Sequence, residues 1–459
     1  MLQLAFLLSC GIMFCYSLLV LDLKRKGQPA ATVFLAETPT WIFTAWFIAA
    51  VFWGGRFLTI RVPGLFDITI ERLLFLPILV SLAYRMIRRD EKGLPEDLMT
   101  HAAMGFLLIL CLLSMTVHGF RPQHPGVPDP WFLFLSGYLF PTIVYMFLRT
   151  QKVNLIMLER ILWTFFGIGC YLAILAYFEF FGLREYVYPR YINDPKIWLH
   201  LDRARGPFLN AGINGLFLVQ AFLCGVYFYA THKTRRWILG PVLLGMIPTV
   251  YFSQTRSVYL AFLLCAVGLA AFLKVDVPKW KILALPTALV MFLAIAISPR
   301  LVSPDRRAGG VYQVEEVKIR VVLIARSIEM IMERPFLGHG FGQFLRAGSE
   351  RFRGRYPIPG TAEEQVQHHH LLGLWAELGV IGLTTYIFIM FRGLIRGTLV
   401  IFKKTWDERI RNLGLVCVLG LSAYLLNNNF LEPAYFLPYN AAAFTFLAWA
   451  ENLYTYSVP

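Results

Sequence analysis

Apolar runs near twenty residues long recur from one end of this chain to the other, and that recurrence restricts the folds open to it. As a helix, each run is long enough to cross a hydrocarbon core of ~30 Å. Lipid offers no hydrogen bonds, so a segment at that depth must satisfy its own backbone, which a helix does within itself. The runs fall at roughly 2–22, 38–54, 67–86, 99–118, 131–148, 157–181, 207–230, 236–253, 257–274, 281–298, 371–391, 411–427 and 437–455. Most carry no polar face, which a soluble helix would need. The composition agrees, with 57% hydrophobic and 15% charged residues, against about 45–50% and about 25% in soluble domains. The expected fold is an all-α polytopic membrane protein with about 12–13 transmembrane helices.

Orientation follows from the basic residues between the runs. Lys24, Arg25 and Lys26 follow the first run, which has no basic start and reads as a retained span with a cytoplasmic C-terminal end. On that assignment the inward connections hold more than twice as many Lys and Arg as the short outward ones. The net charge of +15 then reads as a topology signal and an attraction for anionic membrane lipids. No basic stripe interleaved with aromatics points to nucleic acid. The chain divides into spans at 1–298, a large outward loop at 299–370 and C-terminal spans at 371–459. Within the loop, Val317–Glu333 has apolar residues at helical spacing, ended by Pro335 and Gly338. Amphipathic helices over the outer mouth are expected there. The cysteines all fall within apolar runs and none forms a CxxC pair, so no disulfide, metal site or cofactor is expected.

Charged groups near membrane depth usually serve a cavity or a substrate, and three outward-facing places carry them. In Arg203-Ala204-Arg205-Gly206-Pro207, Gly206 and Pro207 suit a turn into a helix, and Arg205 can reach back over the helix N-terminus, where an anion is favoured. In Ser253-Gln254-Thr255-Arg256-Ser257, one arginine has only small polar neighbours and no nearby acid. Either arginine could as easily reach to lipid headgroups. In Gln367-His368-His369-His370, successive helical positions lie about 100° apart, so the imidazoles cannot converge on one zinc ion. A neutral histidine there can act as a general base or simply cap the helix. Gly338-His339-Gly340-Phe341-Gly342 lacks the spacing of a dinucleotide loop and implies only a tight turn.

Taken in order, RGPFLN, SQTRS, RPFLGHGFGQF and HHHLLGLWAELGVIGL resemble the O-antigen ligase and polysaccharide polymerase superfamily. The resemblance implies a GT-C-like bundle with a large periplasmic loop. It implies transfer of a glycan from undecaprenyl pyrophosphate to an acceptor sugar hydroxyl, with inversion and without a metal, at the periplasmic face of a bacterial inner membrane. The acceptor would be a glycan or a lipid A core. Counted back from Glu377, the family histidine falls on His368 and its usual asparagine on His369. The family arginines fall on Arg205 and Arg256, implied to bind the pyrophosphate. Arg203, His369 and Glu432 are further candidates. A lipid-linked oligosaccharide flippase would call for more intramembrane charge than Glu71 and Glu179 supply, and a non-catalytic component of an assembly complex would not need these groups on one face.

Overall fold

A computed structural model describes residues 30–53, 59–60, 68–88, 98–120, 129–150, 155–197, 200–276, 314–352 and 367–457. The expected spans at 2–22 and 281–298, and the Lys24–Lys26 cluster, lie outside the described residues. The chain divides into two units, one of residues 1–94 and 150–164, the other of 95–149 and 165–459.

In the first unit, α1 (Ala30–Phe52) packs on α2 (Ile70–Arg88), with a two-residue antiparallel pair, Thr59–Ile60 and Ile68–Thr69, between them in sequence. Phe43, Trp46, Phe47 and Phe75 form its buried aromatic centre.

The second unit is a helix bundle. Its long members are α3 (Met99–His118), α4 (Pro130–Arg149), α5 (Leu155–Phe180, whose first turns belong to the other unit), α6 (Ala211–Thr231), α7 (Arg236–Phe252) and α8 (Arg256–Phe272). The large loop holds α9 (Val314–Glu333) and α10 (Phe344–Phe352), and α11 (His370–Phe402), α12 (Glu408–Asn427) and α13 (Leu437–Ser457) follow it. Each described span expected from the sequence coincides with one of these helices. Among the described residues, six helices are long and apolar enough to cross a membrane, and the protein is an all-α polytopic membrane protein.

Largely apolar and buried along nearly its whole length, α6 sits at the centre of the bundle. Its buried polar residues bond backbone: Asn214 Nδ2 donates to Ala204 O at 3.1 Å, and Gln220 Nε2 to Gly420 O at 3.3 Å. Where α5 crosses α6, Gly169 faces Ala221 so closely that a Cβ would collide with it. Close approach at small residues is how helices pack in lipid, where burial alone gives little drive.

The helix expected at 317–333 is α9, ending at Glu333 two residues before Pro335. Ile319, Leu323, Met330 and Ile331 pack against Leu372, Trp375 and Ala376 of α11, while Val321, Ile324, Ile328 and Met332 are exposed on another face.

Candidate functional site

The three motif regions meet at one end of the second unit. Ala204 N donates to Phe252 O at 3.1 Å, tying the Arg203–Gly206 segment to the end of α7. A Cβ on Gly212 would touch both Thr255 and Leu431, each at 3.6 Å, so the 253–256 turn and the 428–436 turn flank the start of α6. His370 N donates to Asn428 O at 2.9 Å, joining α11 to the same turn.

Arg205 does not point over a helix N-terminus. Gly206–Phe208 forms a separate 3₁₀ turn, Leu209 takes a left-handed conformation, and Asn210 caps α6 by accepting from Gly212 N and Ile213 N. Arg205 is fully buried and folds back onto a loop. Its guanidinium donates to Ile192 O (3.1 Å from Nε), Ile197 O and Asp194 O. Its own N and that of Gly206 donate to Glu179 at 3.3 and 3.1 Å. The physical reason is supply of acceptors: a loop that turns several carbonyls inward needs a multi-donor group, and arginine carries five N–H donors in one plane. Arg205→Ala is expected to lower stability by about 3 kcal/mol or more, since each orphaned buried acceptor costs about 1–3 kcal/mol. Thermal unfolding in detergent measures it, and an unchanged midpoint refutes this assignment.

Arg256 is exposed at the first position of α8. No side chain caps this helix and its first turn has no acid. A cation is electrostatically disfavoured at that end of a helix dipole, so guanidinium and free N–H groups together favour an anion. Ser253, Gln254 and Thr255 serve the turn: Ser253 Oγ donates to Val250 O at 2.7 Å, Thr255 Oγ1 to Ser253 O at 2.8 Å, and Gln254 has φ 44°. Arg203, largely buried beside Asp202 (3.9 Å), acts electrostatically on Tyr259 and so belongs to the same neighbourhood.

The adjacent histidines separate into different tasks. His369 is the N-cap of α11, its Nδ1 accepting from Leu372 N at 3.4 Å. His370 is buried, its Nδ1 3.3 Å from Glu432 Oε1, between the rings of Tyr138 and Tyr386. His368 lines a recess of about 220 Å³ together with His369, Asn429, Phe430 and the α9 residues Arg320, Leu323, Ile324 and Ser327. Glu432 meets neither His368 nor an arginine among the described contacts. It accepts from Gln367 Nε2 at 2.6 Å and from Ala434 N at 3.1 Å, and so fixes the turn that presents His368.

The glycine-rich segment and the Glu377-Leu378-Gly379 motif form one unit. Gly379, at φ 69° and ψ −174°, breaks α11. The break frees Ala376 O and Glu377 O to accept from His339 N and Gly340 N, both at 2.9 Å, while Val380 N donates to Pro335 O at 2.8 Å. The buried Glu377 carboxylate accepts from Gly342 N at 3.0 Å and Phe344 N at 3.1 Å. Phe341 N donates to Ser114 Oγ at 2.8 Å, anchoring the segment on α3 as well. Among the described residues, no group of three or more His, Cys, Asp or Glu could hold a metal ion.

Burial lowers the pKa of both His339 and His369 below the ordinary 6.5, with Arg334 and His370 respectively adding to the effect. The folded state therefore binds fewer protons here than the unfolded chain, and these histidines subtract stability as pH falls below about 6.5. The unfolding midpoint should drop between pH 7.5 and 5.5. His369→Asn, which keeps a capping acceptor, should weaken that dependence; an undiminished slope counts against it.

Residues 241–387 match the family model described as O-antigen ligase. The match takes in Arg256, Arg320, His368, Glu377 and Gly379, and it supports the ligase and polymerase superfamily that the motifs resemble. No curated protein matches the chain.

Proposed function

We propose that this protein is an O-antigen ligase or polymerase, a metal-independent, inverting glycosyltransferase that moves a glycan from undecaprenyl pyrophosphate to an acceptor sugar hydroxyl. It works at the periplasmic face of a bacterial inner membrane, with α9 of the outward loop lining the site. The observation that carries the reading is the shared recess: His368, in the bend before α11, and Arg320, on α9, line one cavity beside the 428–436 turn.

In this reading, His368 accepts the proton of the acceptor hydroxyl as its oxygen attacks the anomeric carbon. The bond from that carbon to the diphosphate oxygen breaks, and the diphosphate leaves on its lipid. Arg320 and Arg256 hold the diphosphate and stabilise its growing charge, work that bidentate guanidinium groups do well. Arg203 stands at the edge of the same site. Arg205 builds the wall by ordering the 190–197 loop, and Glu432 and His369 hold the turn before α11. The acceptor is a glycan or a lipid A core, and membrane lipids surround the entrance.

The test is purified protein in liposomes with a labelled undecaprenyl-pyrophosphate glycan and an acceptor. Transfer is expected, with an elongated lipid-linked chain marking a polymerase and labelled lipopolysaccharide a ligase. Arg256→Ala and Arg320→Ala should each lower the rate by about 10²–10³-fold with an unfolding midpoint near that of the parent. Movement of the donor across the bilayer without transfer would instead make the protein a flippase.

A further inference from the structure

The recess beside the start of α11 is lined by two residues that the proposed reaction does not use. Asn429 and Phe430 lie in the turn after α12 and share the cavity with His368 and Arg320. The turn is held by its backbone, with Asn429 N donating to Leu426 O at 3.3 Å and Phe430 N to Asn427 O at 3.0 Å. Asn429 Nδ2 donates to Leu425 O at 3.0 Å and Leu426 O at 3.4 Å, in the last turn of α12. With Nδ2 committed there, Oδ1 is the half of the amide that can accept from a ligand. Phe430 keeps 39% of its surface exposed.

A lone exposed aromatic on an outer surface is ordinary and needs no explanation. Inside a hollow the same ring takes on meaning, because small-molecule sites combine apolar walls with a few placed polar atoms. This recess has that make-up. Leu323 and Ile324 of α9 add apolar wall beside Phe430, and the imidazole of His368 and the amide of Asn429 are the polar groups. Among the described residues that line it there is no acid, so a cationic ligand would find no counter-charge. The size fits as well. A cavity of about 150 Å³ takes a benzene ring, and this one, at about 220 Å³, has room for a single six-membered sugar ring.

We propose that Phe430 is the platform on which the terminal ring of the acceptor glycan stacks, with Asn429 Oδ1 accepting from one of its hydroxyls. A pyranose chair carries axial C–H bonds on its faces and hydroxyls around its rim. The C–H face packs on the electron-rich face of an aromatic ring, and the rim is left to polar partners. A ring held this way keeps its hydroxyls within the part of the recess that His368 lines. The acceptor class follows: a pyranose with one face clear of axial hydroxyls. The proposal rests on the glycosyl-transfer reading for the acceptor's being a sugar, and it adds what holds that sugar and by which face.

Saturation-transfer NMR of the full-length protein in detergent tests this with two lipid-free probes, the core oligosaccharide and the repeat-unit oligosaccharide. One of them should bind, with saturation strongest at the C–H protons on one face of its terminal ring. Phe430→Ala should weaken that binding roughly tenfold or more, and Phe430→Trp should retain it. Phe430→Leu keeps the bulk without the π face and should behave as Phe430→Ala does; it decides the matter if the alanine variant fails to fold. In the transfer assay, Phe430→Ala should raise the acceptor KM by the same factor and leave the donor KM near the parent's, the pattern of lost uniform binding. Equal glycan binding by the parent and both the Ala and Leu variants overturns the proposal, as does a parent that binds neither probe. A parent that binds glycan through Phe430 yet transfers none supports the sugar site and sinks the transferase reading instead.

Discussion

His368→Ala should lower glycan transfer by about 10²–10⁴-fold, the usual worth of a positioned general base, while donor binding and the unfolding midpoint stay close to the parent's. The expectation rests on how the three neighbouring imidazoles divide their work. His370 is buried against Glu432, and His369 uses Nδ1 to cap α11. His368 is the member that faces the recess without serving either of those contacts. His369→Ala should show the converse pattern: a loss of about 1 kcal/mol for the missing cap and a much smaller change in rate. Restoring an acceptor with His369→Asn should recover stability. If His368→Ala transfers at the parental rate and His369→Ala does not, the roles are exchanged; if neither variant slows transfer, the general-base assignment fails.

The capping role also accounts for a departure from the family pattern. The resemblance puts an asparagine where this chain has His369. Asparagine is a favoured N-cap because its side-chain oxygen accepts from the first turn, and the Nδ1 of His369 sits the same number of bonds from the backbone and does the same job. The substitution therefore preserves the local structure and is compatible with His368 as the proposed general base.

The spans were legible because an apolar run of membrane length has few alternative folds, and α3 through α8 begin and end close to where hydropathy puts them. The candidate site was legible in part. Sequence shows that Arg205 and Arg256 both stand at span ends, but not that one faces loop carbonyls and the other solvent, since this depends on the fold of residues 190–197. Arg320 was missed because it lies far from His368 in sequence. A usable signal was present: Arg320, Ile324 and Ser327 fall at i, i+4 and i+7 of an amphipathic helix, and so share a face. The glycine-rich segment was underread for a different reason. Its partner is the backbone of α11, and backbone partners leave no trace in side-chain patterns.

That segment underlies the second large expected effect, the loss of folded protein in Gly379→Ala. At φ 69° and ψ −174°, Gly379 occupies a region that is essentially glycine-only. Strain of this kind costs about 1–3 kcal/mol. A Cβ there would also run into the Phe336 carbonyl oxygen, a backbone atom that cannot swing aside. Glu377→Ala attacks the same unit from its other side by removing the acceptor for Gly342 N and Phe344 N, at about 1–3 kcal/mol for each buried donor left unmet. Against a total stability of about 5–15 kcal/mol, either change should sharply lower the unfolding midpoint and expose the 334–344 segment to protease. Transfer should fall as well, because that segment joins α9, which carries Arg320, to the broken helix that begins at His370. Gly119→Ala provides the control: Gly119 also has a positive φ, 106°, yet nothing lies within 4 Å of the added carbon, so strain alone should give the smaller loss. A Gly379→Ala protein that unfolds at the parental temperature would show that the break in α11 is not held by this close backbone approach.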